Sequence, residues 1–139
     1  MTHRSRSNGQ TEDGGVAVEF ALLLPALLLL VFGIIQFGIL FNNYIAITHA
    51  AREGVRWAAL EEPESVVKDK AVAAAPSLNP AIDPANITVD PPERSIVNQG
   101  EPVEVTVSYT APIIVPFLNR PEILGESITL VASATQRIE

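Results

Sequence analysis

The sequence predicts an α+β chain. One N-terminal transmembrane helix extends into a long spine helix, and a small C-terminal antiparallel sheet packs on the spine's outer half. Three observations predict it. Residues Val16 to Phe41 form an apolar run of 26 residues, whose one charged member is Glu19 and whose one other strongly polar member is Gln36. Apolar and small residues then continue at helical spacing toward Pro63. Beyond it lies a proline-rich half with two alternating segments, 102–110 and 127–138. A length of 139 residues suffices for one small domain plus an anchor.

The elements follow in order. Residues 1–15, MTHRSRSNGQTEDGG, are polar and show no apolar period, which predicts a disordered leader. The apolar run spans about 39 Å as a helix. The hydrocarbon core of a bilayer needs only about 20 such residues, so one tilted or partly protruding transmembrane helix fits the run. A buried core helix of that length would need a larger soluble protein around it than the remaining chain supplies. Pro25 removes a backbone donor and bends the helix near Ala21. Gly33 and Gly38 either permit close helix approach or reflect the frequency of glycine in membrane helices.

The helix is expected to continue past the membrane surface. In NNYIAITHAAREGVRWAALEE (42–62), Ile47, Ala50, Ala51, Gly54 and Ala58 recur at helical spacing, while Asn43, Arg52 and Arg56 can take another face. Pro63 is the stop signal. One helix from Val16 to Leu60 would be about 68 Å long. A short second helix is expected over Glu64–Ala75, ended by Pro76. Nine prolines between Pro76 and Pro121 then mark loops and edges.

In PVEVTVSYT (102–110), Val103, Val105, Val107 and Tyr109 share one face, and Glu104, Thr106 and Ser108 the other. In SITLVASATQRI (127–138), Ile128, Leu130, Ala132 and Ala134 alternate with Thr129, Ser133 and Thr135. A weaker strand is expected at ITVD (87–90), with a turn at Asn98–Gly100. Such a sheet must bury its apolar face against another layer. The outer half of the long helix, with Val55, Ala58 and Leu60, is the candidate.

Composition narrows the function. There is no cysteine, which removes disulfides and thiolate sites. Net charge is −7, and residues 42–139 hold seven Lys/Arg against thirteen Asp/Glu. That balance argues against nucleic acid as a partner and against adhesion of the outer region to anionic headgroups; the charge serves solubility. His3 and His49, far apart and without cysteine, make no recognisable zinc site, so no metal and no cofactor is expected. No phosphate loop, serine elbow or pocketed carboxylate pair occurs, so no enzyme is expected. The sequon Asn86-Ile87-Thr88 is short enough to arise by chance. Arg4 and Arg6 on one flank balance Arg52 and Arg56 on the other, so charge alone barely orients the helix. A long acidic C-terminal region, which translocates largely regardless of charge, favours the N-terminus inside.

In GGVAVEFALLLPALLLLVFG a glycine pair precedes the apolar run, the reverse of the order in a secretory signal. The stretch resembles a type IV pilin-like leader, a polar leader ending in Gly followed by a hydrophobic helix whose fifth mature residue is Glu. With the Glu19-Phe20 pair, AAREGVRWAA (50–59) and the C-terminal strands ending SATQRIE, it resembles the TadE-like minor pseudopilins of tight-adherence (Tad) pilus systems. The resemblance covers nearly the whole chain from Gly14 onward. It implies a prepilin peptidase cutting between Gly14 and Gly15 at the cytoplasmic face; a cut after Gly15 would make Glu19 the fourth residue instead of the fifth. It also implies a cytoplasmic leader 1–14, a transmembrane helix 15–41 and an extracytoplasmic domain 42–139, held in a bacterial inner membrane.

The partners it implies are the peptidase, other pilins and pseudopilins, the Tad assembly machinery and the lipid bilayer. The role it implies is Tad-type (Flp) pilus biogenesis and surface adhesion. A minor role is expected because the major subunits of such systems are much shorter after the helix. Glu19 and Phe20 are then assembly and recognition residues. Cleavage would leave an α-amine on Gly15, positively charged near neutral pH, and Glu19 of a neighbouring subunit could meet it. The alternative for Glu19 is that its carboxylate snorkels to the interface one turn away. The alternative for the chain is an unprocessed single-pass anchor whose outer domain binds an envelope partner.

Overall fold

In the computed structural model the described residues are 9–92, 99–113 and 127–139. Helix α1, Gly9–Ala59, is 51 residues long, about 76 Å at the α-helical rise. It starts inside the segment expected to be a disordered leader, whose residues 1–8 lie outside the described ones. Once a helix is nucleated, each further residue adds one hydrogen bond. The glycines at 14 and 15 each cost only about 1 kcal/mol against that gain, so lack of an apolar period does not end the helix. Helix α1 runs through Pro25.

Its end is built by the backbone. The N–H of Glu61 donates to Ala58 O at 3.1 Å and that of Glu62 to Trp57 O at 3.4 Å, the paired bonds of a Schellman cap. The cap needs a left-handed residue, and Glu61 supplies it at φ 61°. Glycine is the usual occupant because a Cβ strains this conformation. Glu61 Oε1 is also buried with no hydrogen-bond partner among the described residues. Glu61→Gly is therefore expected to raise the unfolding free energy by about 0.5–1 kcal/mol, read as a higher urea midpoint of the full chain in detergent. An unchanged or lower midpoint would mean that the left-handed turn is not strained.

Helix α2, Glu64–Ala73, follows Pro63 and carries a Lys68–Glu64 ion pair of 2.7 Å one turn apart. It ends two residues short of the expected Ala75. Ala75 N–H bonds back to Val72 O at 3.2 Å and Leu78 N–H to Ala75 O at 3.3 Å, so the chain tightens into turns before and across Pro76. A 3₁₀ turn at Pro84–Asn86, capped by the Asp83 side chain, leads into the sheet.

Strands β1 (Ile87–Asp90), β2 (Pro102–Pro112) and β3 (Ser127–Arg137) form an antiparallel sheet in the order β1-β2-β3. The register places Val107 opposite Ile87 and Ala132, and Val105 opposite Val89 and Ala134. Central β2 buries Val103, Val105, Val107, Tyr109 and Ala111, as its alternation requires. Edge strand β3 buries its inward row less completely: Ala132 is buried, Leu130 and Ala134 are half-buried, and Ile128 is exposed. The turn expected at Asn98–Gly100 begins outside the described residues; its described end holds Gly100 at φ 81°.

The sheet lies against α1. Ala46, Ile47, Ala50, Ala51, Val55, Ala58 and Ala59 of the helix are all buried. Fully buried Ile47, Val67, Val103, Val105 and Val107 lie at the centre of the core, each worth roughly 1.5–3 kcal/mol of burial. Two expectations fail here. Leu60, expected to cover the sheet, is 48% exposed because the helix has already unwound into its cap. Asn43, expected on another face than Ile47 and Ala50, is buried with them, because it continues the row set by Leu40 and Ile47 at helical spacing. Arg52 and Arg56 are exposed, as expected.

Candidate functional site

Helix α1 divides into a largely exposed part and a packed part. From Val16 to Ile35 every side chain is exposed except Leu28 and Phe32, which are half-buried. Leu22 is 75% exposed and Ile34 65%. Twenty residues of helix measure about 30 Å, the thickness of a bilayer's hydrocarbon core. Apart from Glu19, the exposed surface of this part is apolar, a far larger patch than soluble monomers usually expose. Helix α1 is the one helix, among the described residues, long and apolar enough to cross a membrane, and it fits a membrane anchor.

Packing begins at Gln36, inside the apolar run. Its side chain is buried, and its Nε2 donates to Pro112 O at the end of β2, at 3.4 Å. At the opposite end Glu139 N–H donates to Ala59 O at 3.0 Å, beside the start of β2. Strand β2 therefore runs antiparallel to α1 along its whole packed part. The sequence marks Gln36 as polar but gives no role for it. Its phase, one helical turn before Leu40 and two before Asn43, is the signal that places it on the packed face.

The candidate processing and assembly residues all lie on the exposed part of α1. Gly14 and Gly15 are exposed, and a Cβ on either would meet nothing within 4 Å. Glu19 stands one turn after Gly15 on the same side of the helix. It is exposed and makes no ion pair among the described residues. Phe20 is 59% exposed. Pro25 lies five residues beyond Phe20 on the same exposed length of helix. The fold thus gathers these residues on one helix without enclosing them in a pocket.

At the end of the domain nearest the exposed apolar part of α1, Asn42, Asn43, Ser77 and Asn79 line an open cleft of about 510 Å³ beside Pro112. Nearby on β2, burial pushes the Tyr109 phenol above its ordinary pKa, and its hydroxyl has no hydrogen-bond partner among the described residues.

Residues 14–56 match the family described as "TadE-like protein", a little under a third of the chain. No curated protein and no solved structure matches. The match takes in Gly14, Gly15, Glu19, Phe20 and Pro25, and reaches the last turn of α1 without entering the sheet. Over residues 14–56, therefore, the chain is similar to TadE-like proteins, a family associated with Tad pilus systems.

Proposed function

We propose that this chain is a minor pseudopilin, cut by a prepilin peptidase between Gly14 and Gly15 and acting in Tad-type pilus biogenesis and surface adhesion. The observation that carries the reading is a bare cylinder of bilayer length that opens on a glycine pair and bears one uncompensated carboxylate, Glu19. In this reading the N-terminus is cytoplasmic and the outer domain is extracytoplasmic. The membrane is the bacterial inner membrane, and the chain stays there or enters the fibre. Its task is assembly, not catalysis.

Proteolysis requires the helix to open locally. Two adjacent glycines lower helix stability by about 2 kcal/mol relative to alanines, which eases local opening at residues 14–15. After the cut, Glu19 can pair with the Gly15 amine of a neighbouring helix. That contact would offset part of the roughly 2.5–3.5 kcal/mol cost of a charge in lipid. It would also favour one assembled register over others.

Co-expression with a matching prepilin peptidase is expected to shorten the chain by fourteen residues, and Gly14→Ala is expected to block this. Because a Cβ at Gly14 meets nothing in the fold, a block does not report misfolding. Intact-mass measurement and N-terminal sequencing read both results. A chain still beginning at Met1 in cells with active peptidase would sink the reading. It would leave an unprocessed single-pass anchor whose outer domain binds an envelope partner.

A further inference from the structure

The chain carries a net charge of −7, yet one cleft reverses that sign. It is an open cleft of about 630 Å³ whose lining includes His49, Arg52, Glu53 and Arg56 of α1, Lys70 of α2 and Gln136 of β3. His49, Arg52 and Arg56 recur at three- and four-residue spacing, so they share one face of α1. All three are exposed, as is Lys70, and none has an ion pair among the described residues. The one acid in the lining, Glu53, accepts a hydrogen bond from Trp57 Nε1 at 2.8 Å. Trp57 is held beneath two of the cations, with the Lys70 ammonium 4.8 Å and the Arg56 guanidinium 5.7 Å from its ring. Three permanent cations against one acid leave a local surplus of positive charge on an acidic protein.

We propose that this cleft binds an acidic, extended segment of a partner protein through two of its carboxylates. Guanidinium forks match carboxylates bidentately. Arg52 and Arg56 are separated by about 6 Å along the helix axis, and side chains two apart on an extended chain by about 6.6 Å. Two acids at that interval meet both arginines at once, with Lys70, His49 and the Gln136 amide as further donors. Exposed ion pairs are individually weak, so one carboxylate does not suffice.

Position separates this ligand from lipid. Arg52 lies seventeen residues beyond Ile35, about 26 Å above the end of the bare cylinder. The headgroup layer on each side of a bilayer is only about 5–8 Å deep. A densely charged phosphate polymer is disfavoured by the acidic surroundings, whose long-range field repels it. The proposal does not depend on cleavage at Gly14.

Trp57 is the sole tryptophan, so its emission reports on the cations above it. The full chain in neutral detergent micelles is titrated with acetyl-Gly-Glu-Gly-Glu-Gly-amide and with the same peptide carrying Gln in place of Glu. Inorganic phosphate and phosphatidylglycerol vesicles form two further arms. The expected result is a saturable change with the Glu peptide alone. In Arg52→Gln/Arg56→Gln, whose far-UV circular dichroism stays native because both side chains are exposed, the midpoint should rise at least about tenfold, about 1.4 kcal/mol. No response to the Glu peptide overturns the proposal, as does an equal response to the Gln peptide. An undiminished response in the double variant, or a stronger one to phosphate or vesicles, overturns it too.

Discussion

Gly54→Leu is expected to abolish cooperative folding of the outer domain or lower its stability by at least about 3 kcal/mol. Gly54 lies where α1 packs against both α2 and β2. A Cβ there would sit 3.1 Å from Val105 Cγ1 and 3.3 Å from Ala71 Cβ. Both neighbours are fully buried, so neither can swing away. Leucine adds three more carbons beyond that Cβ and must push the helix off the sheet or off α2. A domain of this size has only about 5–15 kcal/mol to lose.

Urea unfolding of the detergent-solubilised full chain, followed by Trp57 emission, measures the effect. Gly54→Ala is the control. Its tight contacts are opposed by a gain in helix propensity of about 1 kcal/mol, so it should change the midpoint little. A native midpoint in Gly54→Leu would mean that the three elements do not approach as closely as the geometry requires.

Glu19→Ala should abolish or strongly reduce piliation while leaving membrane insertion intact. Removing the carboxylate takes a charge out of the anchor, which on insertion scales is worth roughly 2.5–3.5 kcal/mol in favour of the membrane. Any loss of pili therefore cannot come from failed insertion. Glu19 touches nothing that the outer domain needs, because packing starts seventeen residues later at Gln36. The variant is scored by membrane fractionation and by counting pili in sheared and whole-cell preparations. Normal piliation would reduce Glu19 to an interface residue without a part in assembly. The result is linked to processing, since the amine proposed to meet this carboxylate exists only after cleavage.

The spine and the sheet were legible because their residues repeat with the right periods. Ile47, Ala50, Ala51, Gly54 and Ala58 fall on the buried helical face, and Val103 to Tyr109 fill the inward face of β2, where the alternation put them. Periodicity does not say how far one element slides along another. The descent of β2 to Gln36 was therefore hidden, and with it the split of the apolar run into bare and packed parts. Asn43 was misplaced because its amide set it apart from the apolar row, whereas its phase on the helix decided its burial. The early start of α1 and its cap at Glu61 were missed for a related reason: backbone hydrogen bonding governs them more than side-chain polarity. The basic cleft draws on α1, α2 and β3 together, and no single stretch of sequence displays it.

Because one uninterrupted helix carries both the exposed apolar segment and the domain, no swivel separates them. A flexible tether would let the outer domain keep any attitude toward the bilayer. Here the attitude of the anchor is imposed on the domain as on the end of a stiff lever. From Ile35 to Ala59 the arm is about 36 Å long. A tilt of about 20°, ordinary for a membrane-spanning helix, carries its far end about 12 Å sideways. Neighbouring helices that set the tilt of this anchor within the membrane would thereby aim the outer surface, without touching it.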